Sequence, residues 1–365
     1  MEHFYLDRYL DLQKQREEAI DAELATITDP EQRFVIKRFK GIGGSDMPKI
    51  MGVSKYGSAH SVWKDKIERT YKEVEPLSTK DFLFAFGHAD EDVIAKMYAK
   101  RTGYEVRKAG EVRMAEYPFL IGNFDRLICD PASPENAKTF LGGLECKTCE
   151  NNSEVKDTRT GEWRNKWGVG NLYNGTELTA IDSTIDPEYY PQVQFYLMLS
   201  GLPWWDVAVA LGRSDIRFYR VFPDQEYQKQ MLERAVVFWC INVLDHVEPP
   251  LTFDDARNDT SIKEASSIEA DTEMQQIAAE YSEINDQIKD LELKQDELKT
   301  RIVKALGNAT KATYTNAEGK VKTLVTFSPA GTYSHFDATA FKNAHPDLYN
   351  QFVKEGTKAR TMRIY

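Results

Sequence analysis

Leu144-Glu145-Cys146-Lys147-Thr148 sets a carboxylate and an ammonium two residues apart. An extended strand presents Glu145 and Lys147 on one face and Leu144, Cys146 and Thr148 on the other. Upstream, Phe119-Leu120-Ile121-Gly122-Asn123-Phe124-Asp125 closes an apolar strand on an acid, and downstream Tyr189-Tyr190-Pro191-Gln192-Val193-Gln194 opens an apolar helix with polar side chains. Acid, then Glu-x-Lys, then Gln is the order of a metal-dependent phosphodiester-cleaving site. That chemistry needs an activated water, a neutralised phosphate and a stabilised leaving oxygen, and Mg²⁺ held by carboxylates supplies all three.

In that arrangement Asp125 and Glu145 bind the metal, joined by the main-chain carbonyl of Cys146, while waters keep the other positions. Lys147 lies beside one such water and contacts the phosphate. Glu91, on a preceding helix, holds a second ion directly or through water. Gln192 positions the water or phosphate by hydrogen bonds, with Tyr189 one helical turn before it, and Gln194 points elsewhere. Glu-x-Lys alone also occurs as an exposed charge pair on surface strands; the ordered set is the informative feature.

The elements that must position these groups are legible in the apolar spacing. Residues 1–28 read as an amphipathic packing or lid helix, and Asp29-Pro30-Glu31-Gln32 starts a second one with Asp29 as N-cap and Pro30 at the first position. Gly41-Ile42-Gly43-Gly44-Ser45-Asp46 leads into a short helix Met47–Met51, with Arg38 just before the turn. The turn reads either as an anion cradle or as a tight turn with Ser45 or Asp46 as N-cap. Phe82–Tyr98 reads as a helix with Glu91 near its buried side. Tyr104–Arg107, Arg113–Ala115, Leu120–Cys129 and Gly143–Thr148 follow as strands, Tyr189–Ser200 as a helix, Trp205–Leu211 and Ile216–Val221 as strands, and Glu226–Val247 as a long helix. The expectation is an α/β (α+β) fold, a mixed central sheet flanked by helices, within residues 1–250.

Between strand and Gln helix lies Asn151–Asp186, a long stretch without clear periodicity. Its Lys156, Arg159, Arg164 and Lys166, interleaved with Trp163 and Trp167, suit a surface that grips a phosphate backbone and stacks on bases, or a solvated loop pinned by two tryptophans. Residues 251–268 read as a linker after Pro249-Pro250. In residues 269–306, Met274, Ile277, Tyr281, Ile284, Ile288, Leu291, Leu298 and Ile302 recur in a heptad seam broken by Gln295, so a coiled coil or helical hairpin is expected. Residues 307–365 read as a small α+β accessory domain. It comprises a hairpin of Ala312–Thr315 and Lys322–Phe327 around Asn316-Ala317-Glu318-Gly319, a helix Ala338–Ala344, and a basic end, Lys358-Ala359-Arg360-Thr361-Met362-Arg363.

With 41% hydrophobic residues in 365, the chain can bury a sizeable core. No run approaches the ~20 apolar residues of a membrane span, and the N-terminus lacks a basic region followed by an apolar one, so a cytoplasmic protein without membrane contact is expected. A net charge of -11 argues against coating nucleic acid by bulk electrostatics, yet bound cations and a local basic groove can still receive DNA. Cys129, Cys146, Cys149 and Cys240 are too few for a disulfide framework. Cys146-x-x-Cys149 admits a zinc, cluster or redox reading, but the alternation places Cys146 on the packed face of its strand.

These motifs together resemble a known family, the lambda-exonuclease-like, YqaJ-type phage recombinases of the PD-(D/E)xK nuclease superfamily. The resemblance is carried by Arg38, Ile42-Gly43-Gly44-Ser45-Asp46, Gly87-His88-Ala89-Asp90-Glu91, Asn123-Phe124-Asp125, Leu144-Glu145-Cys146-Lys147 and Tyr189-Tyr190-Pro191-Gln192-Val193-Gln194, and spans residues 38–222. It implies a restriction-endonuclease-like core and a Mg²⁺-dependent deoxyribonuclease, with Mn²⁺ as a substitute. Such an enzyme degrades double-stranded DNA ends 5′ to 3′ and leaves 3′ tails for a single-strand-annealing recombinase, in a bacterial host of a phage or prophage. By position, Asp125, Glu145 and Lys147 are the nuclease core, Glu91 and Gln192 assist, and Arg38 with Ser45 binds a terminal 5′ phosphate. Phe124-Asp125-Arg126 stands where the family usually shows Pro-Asp-Gly, so the acid is kept but the tight turn is not implied. The tail beyond Pro250 lies outside the resemblance and leaves homo-oligomerisation open. The alternatives are a DNA-end-processing endonuclease of the same chemistry, a non-catalytic DNA-end or scaffold protein, and a zinc or cluster redox protein using Cys146 and Cys149.

Overall fold

The computed structural model describes residues 3–69, 71, 79–157, 159–212, 214–259, 267–315, 319–332, 334–353 and 360–362, without the side chains of 3–6, 79–86 and 88. The chain packs as two units, Met1–Ala256 and Arg257–Tyr365.

The first unit opens with α1 (His3–Leu24), α2 (Pro30–Lys37), a 3-10 turn Arg38–Lys40, β1 (Ile42–Gly43), α3 (Met47–Ile50), α4 (Ala59–Glu68) and α5 (Thr79–Thr102). The strands β2 (Glu105–Lys108), β3 (Glu111–Arg113), β4 (Leu120–Asn123), β5 (Arg126–Cys129) and β6 (Phe140–Cys149) follow. After β7 (Glu154–Lys156), β8 (Trp163–Asn165), β9 (Leu172–Asn174) and β10 (Glu177–Ala180) come α6 (Tyr190–Ser200), β11 (Trp205–Leu211), β12 (Asp215–Val221), α7 (Gln225–Val237) and α8 (Phe253–Asn258). The fold is therefore a mixed α+β one.

Its main sheet has the order β12-β11-β6-β5-β2, with β6 central. β6 and β11 run parallel, joined by the crossover that contains α6, and the other pairs are antiparallel. The alternation expected of β6 holds. Leu144 and Cys146 pack with Ile94 and Tyr98 of α5, while the opposite face meets α6. Asp206 of β11 is buried on the α5 side, bound by two Arg220 nitrogens at 2.8 Å each and by the Tyr98 hydroxyl, so its charge is fully partnered. On the α6 side Phe119, Val193, Trp205, Val207 and Trp239 form the larger core.

The expected single strand Leu120–Cys129 is two strands. β4 joins β1 and β3 in a separate sheet, and β5 belongs to the main one. The break falls at Phe124-Asp125, because Phe124 turns inward to edge-on contacts with Tyr196 and Trp205, at 5.0 and 4.8 Å between ring centroids. Asp125 thereby heads β5 beside β6 instead of lying within a continuous strand.

Other expectations shift at their ends. The long helix after β12 leaves α geometry at Val237 and continues as a wide π turn, Phe238–Leu244, that buries Phe238, Trp239, Cys240 and Val243. α4 was not foreseen. α1 is a packing element: Gln13 donates to the Lys40 carbonyl and accepts from Trp239, and Arg16 bonds the Phe39 and Lys66 carbonyls. Asp29 caps α2 as expected, accepting from the Gln32 N–H at 2.7 Å. Asn151–Asp186 folds as two small hairpins, β7 with β8 and β9 with β10.

In the second unit α9 (Thr272–Leu306) is one 35-residue helix rather than a helical hairpin, and its seam residues from Met274 to Ile302 are exposed. β13 (Lys311–Thr315) and β14 (Val321–Thr326) form the expected hairpin. Asn316, Ala317 and Glu318 of its turn lie outside the described residues, as do Lys358, Ala359 and Arg363 of the basic end. α10 (Ala338–Ala344) matches its expected range, and α11 (Pro346–Phe352) was not foreseen.

Candidate active site

Glu145 points from the middle of the sheet toward α6 and is only 2% exposed. One of its oxygens, Oε1, accepts from Lys147 Nζ at 2.7 Å and from Gln192 Nε2 at 2.7 Å. The other, Oε2, is buried and has no hydrogen-bond partner among the described residues. A buried carboxylate oxygen without a donor is costly, so this atom is aimed at something that brings positive charge. Burial pushes the Glu145 carboxyl up to about 8; Lys147 opposes the rise and Asp125 adds to it.

Asp125 is held from the next strand, accepting from the Cys146 N–H at 2.9 Å through Oδ2. Burial raises its pKa against the pull of Lys147 and of that N–H. Lys147 is pulled down by burial, but Glu145 and Asp125 lift it further, so it stays charged. Its ammonium lies 4.8 Å from the centre of the Tyr189 ring. Gln192 also meets the Tyr196 hydroxyl at 3.0 Å, one turn further along α6. The structure thus brings Asp125, Glu145, Lys147, Gln192 and Tyr189 to one place.

Glu91 is engaged differently from the expectation. Its Oε1 receives Arg126, whose other arm binds Asp92. Among the described residues, no group of three or more His, Cys, Asp or Glu side chains gathers in a form that could hold a metal. The acid oxygens gathered here are those of Asp125 and of Glu145 with its unpartnered Oε2. These are hard oxygen donors, and they fit Mg²⁺, which keeps several of its waters.

A second charged cluster adjoins the first through Tyr196. Arg38 donates to the Ser45 hydroxyl at 2.7 Å and reaches Asp46 at 3.5 Å. Asp46 heads α3 but does not cap it. Its carboxylate turns back to the Gly43 N–H at 3.0 Å and to Lys66 Nζ at 2.9 Å. Gly44 permits the close approach: a Cβ there would come 2.4 Å from the Tyr196 ring. Sequence reasoning missed Tyr196, Lys66 and Arg126. Tyr196 stands four residues after Gln192 on the same helix face, and Lys66 four after the buried Val62, and these spacings were the available signals.

In the insertion, Trp163 is 70% exposed and Lys156 is exposed, whereas Trp167 is buried at 1% and stacks on Tyr189 at 5.9 Å, so it is not free to stack on bases. Arg159 and Arg164 both bind the buried Asp157, and Arg164 also donates to the Asn165, Lys166 and Ile185 carbonyls. These two arginines hold the hairpin together. Cys146 packs in the apolar cluster under β6, and the Cys149 thiol donates to the Asn151 carbonyl at 2.9 Å. Gln194 binds the Phe222 carbonyl and the Asp224 N–H, away from the site.

With this geometry in place, comparison with known proteins shows what the chain is similar to. Residues 33–203 match the model of the YqaJ-like viral recombinase domain. Among curated proteins it is similar to the uncharacterized protein YqaJ of Bacillus subtilis strain 168, 27% identical over 332 residues that cover 88% of this chain and 90% of that one. Among solved structures it is similar to the alkaline exonuclease LHK-Exo of Laribacter hongkongensis, at 16% identity and a TM-score of 0.39 over 57% of this chain and 92% of that one. The same figures hold for LHK-Exo in complex with dAMP. No helix among the described residues is long and apolar enough to cross a membrane.

Proposed function

We propose that this chain is a Mg²⁺-dependent deoxyribonuclease that degrades double-stranded DNA from its 5′ ends and leaves 3′ single-stranded tails for an annealing recombinase. The observation that carries the reading is Glu145: a buried carboxylate with one oxygen fixed by Lys147 and Gln192, the other unpartnered, and Asp125 repelling it nearby. Asp125, Glu145 and the main-chain carbonyl of Cys146 would hold Mg²⁺, or Mn²⁺ in its place. Such an ion supplies charge for the scissile phosphate and an acidified water.

Lys147 remains protonated in this company and offers a fixed positive charge to a phosphate oxygen. Gln192 and Tyr196 act through Glu145, fixing which carboxylate oxygen the protein occupies and which stays open. Arg38 and Ser45 receive the terminal 5′ phosphate, Tyr189 borders the strand being cut, and Lys156 with Trp163 offers an exposed basic and aromatic edge to DNA. The order of Asp125, Glu145 and Lys147 supports a PD-(D/E)xK, restriction-endonuclease-like core in residues 1–250, and the segment 251–268 expected as a linker includes the short helix α8. The seam of α9 supports a coiled coil in residues 269–306, either with a second copy or with the annealing partner, ahead of the accessory segment 307–365. The setting is the cytoplasm of a bacterial host of a phage or prophage.

Linear duplex with and without a 5′ phosphate, compared with a closed circle, tests the reading. Mg²⁺-dependent loss of linear DNA, fastest with the phosphate, is expected. Cutting of the circle would make the protein an endonuclease, and no cleavage of any substrate would make it a binding or scaffold protein.

A further inference from the structure

Arg126 immediately follows the acid Asp125 and is 5% exposed. Its NH1 binds Glu91 Oε1 and donates to the carbonyl of Asp125 at 2.6 Å, and its NH2 binds Asp92 Oδ1. The guanidinium therefore sits between the helix that carries Glu91 and the main chain of a metal-site residue, where it consumes the carboxylate that a second ion would need. We propose that Arg126 is a built-in cation standing in place of a second metal ion, which makes this a one-metal centre and Glu91 the anchor of Arg126 rather than a ligand. The inference deepens the metal-dependent nuclease reading and rests on it.

The charge balance supports it. With Glu91 neutralised by Arg126, and Asp92 by Lys108 at 3.4 Å, the remaining groups are the Asp125 and Glu145 carboxylates and the Lys147 ammonium. These three and one DNA phosphodiester sum to the charge that a single divalent cation neutralises. A second divalent ion would add charge with no unpaired carboxylate among these named groups to meet it, beside a guanidinium that repels it. An arginine also cannot deprotonate to make room.

The test counts bound ions by calorimetric titration of the full chain with Mn²⁺ alone, without DNA. Wild type is expected to take one ion, Arg126→Gly two, and the double variant Arg126→Gly with Glu91→Gln one again. Two ions in wild type, or one in an Arg126→Gly protein whose circular dichroism is native, would overturn the proposal. Should Arg126→Gly fail to fold, Glu91→Gln decides. A count of one with Kd changed by less than about tenfold supports the anchor role, and a larger loss of affinity makes Glu91 a ligand and overturns it. The underlying reading has its own control: if Glu145→Ala binds Mn²⁺ as tightly as wild type, the metal site itself is misplaced, whatever Arg126 does.

Discussion

Asp46 and Glu145 are both buried carboxylates, yet their protons behave in opposite ways. At Asp46, burial is outweighed by Lys66, Arg38 and the Gly43 N–H, and the carboxyl is held down at about 2. At Glu145, burial prevails over the one nearby ammonium, and the carboxyl rises to about 8. The difference is one of donors: Asp46 has both oxygens in ion pairs, whereas Glu145 keeps one oxygen open. A saturated buried acid is a fixed structural anion, and an unsaturated one has capacity left for an ion from outside.

The contrast breaks most visibly in cleavage. Glu145→Ala or Lys147→Ala should cost several kcal/mol of transition-state stabilisation, about 10³-fold or more in the Mg²⁺-dependent rate, with the fold intact by circular dichroism. Full activity in either variant would remove the mechanism.

On the structural side, Lys66→Ala leaves Asp46 with Arg38 and the Gly43 N–H and should lower stability in urea by about 3 kcal/mol. Asp46 has a pKa below that of the unfolded chain, so its contribution is present above about pH 4 and is lost as pH falls through about 2. The variant should therefore differ from wild type at neutral pH and converge with it in acid. A constant difference over that range would assign the loss to packing.

Arg38→Ala should weaken the preference for 5′-phosphorylated ends by about 10- to 100-fold, the range of a charge-assisted pair, while unphosphorylated ends are cut as before. An unchanged preference would free Arg38 of that role. The open acid also predicts a pH dependence. Below about pH 8 a proton competes with the cation for Glu145, so Mn²⁺ affinity should rise about tenfold per pH unit and level off above that point. In the metal-free protein the same raised pKa has the reverse sign for folding: stability falls as pH climbs from the ordinary carboxylate range toward 8. Affinity flat between pH 6 and 8 would show that Glu145 is already ionised. The smallest effect on rate is expected at α9. Ile284→Lys with Ile288→Lys in the full chain should change the sedimentation coefficient while cleavage stays within about twofold.

Much of this site was legible because strand alternation and helix spacing are local properties. Glu145 against Leu144 and Cys146, and Gln192 against Gln194, fall on the faces that their periods dictate. What was not legible depended on tertiary context. The break at Phe124-Asp125 follows from the aromatic pocket of Tyr196 and Trp205, which lies some seventy to eighty residues downstream in ~365. The pairing of Glu91 with Arg126 joins a helix to a strand and has no local signature. Trp167 has the composition of a stacking surface and the position of a core residue, and only burial separates the two. The π turn at Phe238 likewise answers to packing rather than to helix propensity.

The central claim is tested most directly by timed digestion of duplex DNA labelled at the 5′ or the 3′ end, with Mg²⁺ and with EDTA. The account predicts early release of the 5′ label as mononucleotide, progressive shortening of the 3′-labelled strand, and neither in EDTA. Retention of both labels in Mg²⁺, or the same release in EDTA, would contradict it.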